Sequence, residues 1–124
     1  MRFRYMFLAA ALVVTEAHAI QATCSQAGGD KQLTRVSPES IEVRSGSGAR
    51  SLPLSQVASI EVTGPVNRAN RYAWANVKST SGDVQKMGIV LPYAGTLMLD
   101  GLDGQGKPES IDMLDCKHVD FKAS

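Results

Sequence analysis

The fold is set by the stretch Ser51-Leu-Pro-Leu-Ser-Gln-Val-Ala-Ser-Ile-Glu-Val62, which returns near the C-terminus as Ser110-Ile-Asp-Met-Leu-Asp-Cys-Lys-His-Val-Asp-Phe121. The first two and the last two apolar positions of each copy alternate as in a half-buried strand. The middle of the copy instead advances in steps of three residues, which is typical of one tight turn. Each copy therefore predicts a strand, a single turn and a second strand, with its apolar side chains facing one core. Aligned without a gap, the copies share five apolar positions: Leu52 and Ile111, Leu54 and Met113, Val57 and Cys116, Ile60 and Val119, and Val62 and Phe121.

Residues 1–19 have the pattern of a cleavable signal peptide. A cationic start precedes the apolar run Met6–Val14, and Ala17-His-Ala19 fits the small-x-small cleavage pattern. The alternative is a membrane anchor, but this run is too short for a hydrocarbon core of about 30 Å. Cys24 lacks the upstream apolar residue expected of a lipoprotein. We therefore predict cleavage before Ile20, no membrane span in the mature chain, and an exported protein in the periplasm or the extracellular space.

The charge and the length of the mature chain indicate its class of partner and its number of domains. Removal of the first nineteen residues takes Arg2, Arg4 and Glu16 from totals of 13 and 12, which leaves eleven cationic and eleven acidic side chains. This neutral balance argues against a nucleic-acid partner, which would require an excess of Lys and Arg. The remaining 105 residues suit one domain with one modest core. We predict a single β-rich domain over residues 20–124.

The two cysteines of the chain, Cys24 and Cys116, lie near opposite ends of the mature sequence. In an exported protein an even pair of cysteines is typical of a disulfide. A free thiol and a metal ligand are the alternatives, but His118, two residues after Cys116, is the one such residue near either cysteine and does not complete a metal site by itself. Cys116 also occupies the inward position that Val57 fills in the first copy of the repeat. The sequence predicts a Cys24–Cys116 disulfide.

The other segments also favour strands. Residues 20–38 are expected to be polar and irregular, apart from a short strand within 32–36. Alternating segments follow at 40–45, 71–79, 84–91 and 96–100, and Gly- and Pro-containing turns separate them. No helical periodicity occurs beyond the signal peptide. This pattern predicts an all-β barrel or sandwich of about seven to eight short antiparallel strands.

Residues for catalysis or metal binding are scarce. His118 is the one histidine of the mature chain, and the repeat places it on the polar side of a strand. An acid–base pair with Asp115 or Asp120 can be drawn, but a solvated strand residue is the favoured interpretation, because acid–base chemistry requires partly buried groups. The oxygen-rich segment 100–109 lacks the spacing of a calcium loop and contains Lys107, so a hairpin turn is favoured there. We predict no enzyme activity, no metal site and no cofactor.

The best candidate for a binding surface begins in the loop before the strand at 71–79. One face of this strand carries Tyr72, Trp74, Asn76 and Lys78, and the other carries Ala73, Ala75 and Val77. If the small residues pack inward, Tyr72 and Trp74 are exposed beside Arg68 and Arg71, and these are residue types enriched at binding hot spots. The alternative is that Trp74 is the largest residue of the core.

Two resemblances bear on function. The repeat resembles small exported bacterial β-domains of unassigned function in which I-x-L-x-x-I-x-x-I-x-F closes a compact barrel. That resemblance covers residues 51–121 and implies core positions only. The chain is also similar to the periplasmic inhibitors of c-type lysozyme in size, in β character and in its terminal cysteines. Ser47-Gly-Ala-Arg50 matches the start of their S-G-x-x-Y motif, although Ser51 replaces the tyrosine.

These observations lead to three hypotheses. The first is an exported, non-enzymatic binding domain of the periplasm, whose partner is a protein or a cell-envelope component. The second, implied by the resemblance, is a proteinaceous inhibitor of a lysozyme-type hydrolase. The third is a small hydrolase, which the missing catalytic groups disfavour.

Overall fold

The computed structural model describes residues 19–46, 48–64, 71–91 and 96–123. The predicted signal peptide lies outside this part of the chain except for Ala19, and so does Arg68 of the candidate surface. Eleven strands occur in the described residues: β1 Ile20–Ser25, β2 Lys31–Leu33, β3 Arg35–Val36, β4 Ser40–Ser45, β5 Gly48–Pro53, β6 Val57–Val62, β7 Tyr72–Ser79, β8 Val84–Val90, β9 Met98–Leu102, β10 Pro108–Asp112 and β11 His118–Ala123.

The strands form two antiparallel sheets around one apolar core. The larger sheet has the order β2-β1-β11-β6-β7-β8-β4-β5, and the smaller has the order β10-β9-β3. The outer strands of the larger sheet, β2 and β5, are not paired with each other in the described residues, so the sheet is open and the architecture is a sandwich. The all-β prediction is confirmed. The largest fully buried side chains are aliphatic, among them Leu33, Leu54, Ile60, Ile89 and Leu99.

Both copies of the repeat are strand–turn–strand units. A 3-10 turn over Leu54–Gln56 joins β5 to β6, and a second over Met113–Asp115 joins β10 to β11. Nine of the ten shared apolar positions are buried, and Val62 is partly buried against the same core. The shared sequence pattern therefore gives two equivalent structural units.

An approximate twofold axis relates the two units. Strands β6 and β11 pair antiparallel with Ile60 opposite Val119, and these residues occupy the same position of the repeat. Corresponding hydrogen bonds lie on either side of the axis. The Leu54 N–H donates to the Glu39 carbonyl, and the Met113 N–H donates to the Leu97 carbonyl, each at 2.9 Å. The axis therefore passes between β6 and β11, at the pair of Ile60 and Val119.

The twofold relation also explains the N-terminal strand. Strand β1 pairs with β11 as β7 pairs with β6, which places Ala22 opposite Phe121 and Ala75 opposite Val62. The expectation that residues 20–25 are irregular is wrong. Every residue of β1 has a partner in β11, although its two inward residues, Ala22 and Cys24, are small and give a weak apolar signal.

Cys24 and Cys116 form a disulfide, as predicted. Their Cα atoms are 5.4 Å apart, within the usual range for a disulfide. Both residues are buried in the core. Their counterparts across the twofold axis are Val77 and Val57, which are buried as well. The bond thus joins two core positions that the other half of the domain fills with valine.

Candidate functional site

The solvent-facing side of β7 carries the two aromatic residues of the candidate surface. Ala75 and Val77 are buried, whereas Trp74 is 45% exposed and Tyr72 is partly buried. Neighbouring strands determine this orientation, because Ala75 lies opposite Val62 in β6 and opposite Met87 in β8. The small residues of β7 therefore face the core, and Trp74 is not a core residue.

Tyr72 is held between an aromatic ring and a cation. Its ring centroid lies 5.4 Å from that of Trp74, and the two planes meet at 88°, the edge-to-face geometry that aromatic pairs favour. The guanidinium carbon of Arg44 in β4 lies 5.8 Å from the centroid of the Tyr72 ring, within the distance of a cation–π contact. We name Arg44, Tyr72 and Trp74 the aromatic face.

Gly88 in β8 makes room for the Tyr72 ring. Gly88 lies between Trp74, which is opposite it in β7, and Arg44, which is opposite it in β4. A Cβ atom at Gly88 would be 2.9 Å from Cδ2 of Tyr72, which is closer than van der Waals contact. Because Gly88 has no side chain, the Tyr72 ring can cover the sheet at this position and bridge β7 and β4.

Further cations lie on the same side of the sheet. Lys78 follows Trp74 on the same face of β7. Lys86 precedes Gly88 on the same face of β8. Arg71 immediately precedes β7 and is exposed, and its carbonyl accepts a hydrogen bond from the Leu91 N–H. Of the two arginines predicted for this surface, Arg71 is thus exposed directly before Tyr72, at the alternation of Ala73 and Ala75, and Arg68 lies outside the described residues.

Sequence reasoning missed Arg44 and Gly88. Both belong to the site only because β8 pairs with β4, and no local pattern in the sequence reveals which strands are neighbours. The alternation within residues 40–45 does place Arg44 on the polar side of its strand.

A second polar cluster brings together Ser25, His118 and Asp120. The hydroxyl oxygen of Ser25 lies 3.1 Å from Nε2 of His118, and Oδ2 of Asp120 lies 3.3 Å from the same nitrogen. In a Ser-His-Asp triad the serine and the acid contact different ring nitrogens, and the acid is buried. Here the side chains of His118 and Asp120 are 46% and 57% exposed. This geometry does not form a catalytic relay and gives the hydrolase hypothesis no support.

The segment 100–109 is the hairpin between β9 and β10. One carboxylate oxygen of Asp103 accepts hydrogen bonds from the backbone N–H groups of Gln105 and Lys107, at 2.8 and 3.0 Å. This is the local turn chemistry of an Asp residue. No group of three or more potential metal-ligating side chains occurs in residues 19–123 where the structure describes them.

A cleft of about 650 Å³ lies away from the aromatic face. Its lining includes Ile20, Arg35, Glu39, Pro53 and Leu102. None of the described residues of the candidate surface contributes to it. The aromatic face is therefore an open side of the sheet, separate from this cleft.

Comparisons with known proteins leave the family of this chain open. No protein-family model matches the sequence, and no curated protein is significantly similar to it. The two resemblances therefore stay predictions. Of the segment that carries the lysozyme-inhibitor resemblance, Ser47 is outside the described residues, and Gly48–Ser51 are exposed on the edge strand β5. In the described part of the chain, no helix has the length and apolar character needed to cross a membrane.

Proposed function

We propose that this protein is an exported, non-enzymatic binding domain that contacts a protein or a cell-envelope component through its aromatic face. The observation that carries the proposal is the 45% exposure of Trp74 beside Tyr72 and Arg44. A tryptophan gains more than most residues from burial, and Trp, Tyr and Arg are enriched where binding energy is concentrated.

The side chains of the aromatic face also contact one another within the domain. Tyr72 contacts Trp74 and Arg44, and its ring lies over Gly88. Side chains that are already held in place lose less conformational entropy when a partner binds. For a restrained aromatic surface, a larger share of the energy of its contacts with a partner therefore remains as binding affinity.

The open shape of the site favours a macromolecular partner. Small ligands bind in concave pockets that enclose most of their surface, whereas the aromatic face lies on the outside of a sheet. A protein or a cell-envelope polymer can cover such a surface.

Trp74→Ala should weaken binding with little effect on stability. The substitution removes a partly exposed ring and leaves the buried side of β7 unchanged, so the melting temperature should stay within about 4 °C, as for a typical surface substitution. The measurement is retention of envelope proteins or polymers by the immobilised domain, with thermal unfolding in parallel. Before mutation, the fluorescence of Trp74, the one tryptophan of the chain, should be red-shifted and readily quenched by iodide.

Val84→Ala is the matched control for this experiment. Val84 is 59% exposed on the same side of the sheet, but it lies at the far end of the pairing between β7 and β8. It should keep wild-type retention. Equal loss in both variants would show non-specific apolar adhesion, and a large fall in the melting temperature of the Trp74 variant would make Trp74 a structural residue.

Export is supported by the sequence of residues 1–19 and by the disulfide, because disulfides persist in oxidising compartments. When the full chain is produced in a bacterial host, the protein recovered from the periplasm or the medium should begin at Ile20. Intact mass spectrometry and N-terminal sequencing measure this directly. Retention of the first nineteen residues, or recovery from the cytoplasm alone, would contradict export.

A further inference from the structure

We infer that the partner presents an acidic protein surface to this side of the sheet; the inference rests on the proposed function above and specifies its partner. Three cations, Arg44, Lys86 and Lys78, lie on successive strands of the larger sheet. Strand β8 is between β4 and β7, so the three residues occupy neighbouring strands in that order. We name them the cationic row.

Strand register gives the spacing of the cationic row. Arg44 is opposite Gly88, which is two residues from Lys86, and Lys86 is opposite Asn76, which is two residues from Lys78. Each step therefore crosses one strand and advances by two residues. With strands about 4.8 Å apart and a rise of about 3.3 Å per residue, successive Cα atoms are about 8 Å apart along a diagonal. Trp74 lies beside this diagonal, opposite Gly88.

The members of the cationic row form no ion pair within the described residues, although Arg44 contacts the Tyr72 ring. His118 pairs with Asp120 at 3.3 Å, whereas within the described part of the chain no carboxylate pairs with a member of the cationic row. Lys78 and Lys86 are exposed. Across β4, β8, β7 and β6 the row provides three positive charges, whereas Glu42 and Glu61 provide two negative charges at outward positions of β4 and β6. The contiguous positive charges of the row complement an acidic partner.

The angle between the two aromatic rings favours a protein partner over an extended glycan or a single-stranded nucleic acid. Such chains stack successive rings on aromatic planes that present their faces to the ligand. Tyr72 and Trp74 are instead nearly perpendicular, and the Tyr72 ring is already engaged by Arg44 and by the sheet at Gly88. One free ring beside a row of charges is suited to an apolar residue surrounded by carboxylates.

The mixture of charges on this side of the sheet favours a protein partner over an anionic membrane. Glu61 is opposite Asn76, on the strand adjacent to Lys78, and Glu42 precedes Arg44 by two residues on its strand. A uniformly negative lipid surface would repel these carboxylates, whereas a protein can place its own cations or hydrogen-bond donors against them. The mixed pattern therefore favours a protein.

The test uses poly-L-glutamate as an acidic polypeptide probe of the oxidised mature domain. Binding is followed by Trp74 fluorescence, and hyaluronate and phosphatidylglycerol vesicles are titrated at equal charge concentration. The domain should bind poly-L-glutamate more tightly than either alternative, and added salt should weaken the binding. The double variant K78Q/K86Q should bind about tenfold more weakly at low ionic strength, because two of the exposed charges that attract the probe are lost.

The matched control is K31Q/K107Q, which makes the same change in net charge at exposed lysines of β2 and of the β9–β10 hairpin. It should bind as the wild type does. Equal weakening in the two double variants, no fluorescence response to poly-L-glutamate, or tighter binding to hyaluronate or to vesicles would overturn the inference.

Retention of envelope components separates this inference from the proposed function. If Trp74→Ala abolishes retention and K78Q/K86Q retains the same components as the wild type, the binding function stands and the acidic partner is wrong. If neither variant alters retention, the proposed function itself is wrong. Loss of retention in both variants, at an unchanged melting temperature, supports the inference together with the poly-L-glutamate result.

Discussion

Replacing both cysteines by valine, in the double variant Cys24→Val and Cys116→Val, should lower the free energy of unfolding by about 4 to 5 kcal/mol. The disulfide closes a loop with a sequence separation of 92 residues, and the chain-entropy relation predicts a stabilisation of this size for so long a loop. Valine is the substitution of choice because Val77 and Val57 fill the equivalent positions of the other half. The packed volume is therefore largely kept, and the change reports the loss of the cross-link.

Urea unfolding of the variant, beside the oxidised and the reduced wild type, measures this effect. The reduced wild type should match the valine variant to within about 1 kcal/mol, since volume-conserving apolar changes in a core have small effects. A stability equal to that of the oxidised protein would contradict the prediction. Alkylation of two thiols without prior reduction would show that the bond itself is absent.

The second large effect is expected at the twofold axis. Ile60→Ala should destabilise the domain by about 2 to 4 kcal/mol, and Val119→Ala by somewhat less, because each substitution leaves a cavity in a closely packed core. Ile60 and Val119 are both 1% exposed and lie opposite each other in β6 and β11. Their combined effect should be non-additive, as is usual for residues in contact. Chemical denaturation of the two single variants and of the double variant measures both quantities.

Ser59→Ala and His118→Ala are the controls from the same two strands. Ser59 is partly buried and His118 is exposed, so each change should cost no more than about 0.5 kcal/mol, as for a typical surface substitution. If the polar and the apolar positions are equally sensitive, the inward register of β6 and β11 is wrong.

The repeat could be recognised from sequence because its signal is local. Alternation marks the strands, and the three-residue steps between Leu54, Val57 and Ile60 mark the 3-10 turn, so short segments suffice to predict each unit. The pairing of the two units through Ile60 and Val119 was not predictable, since strand neighbours are chosen by contacts between distant segments. Strand β1 was missed for a related reason. Its inward residues are small, and its partner β11 lies at the other end of the chain.

The candidate site was predictable only in part. Residues 71–79 carry aromatic and polar residues on one face and small apolar residues on the other, and both orientations are compatible with a strand. The orientation is decided by β6 and β8, which place Val62 and Met87 beside Ala75. The same strand order brings Arg44 to Tyr72. Whether a strand face is open or covered depends on the neighbouring strands, and the sequence of a single segment does not show which strands these are.

The Cys24–Cys116 bond also determines how the protein responds to a protease. The bond makes a covalent circle of all residues between the two cysteines, and this circle includes every strand from β2 to β10. One cut within the circle opens it without releasing a fragment, and the severed ends stay within reach of the strands that they left. Outside the circle are two tails, residues 20–23 of β1 and the strand β11, and these tails pair with each other. A once-cleaved molecule can therefore keep its complete set of strands, and two cuts are needed before any piece of the circle is lost.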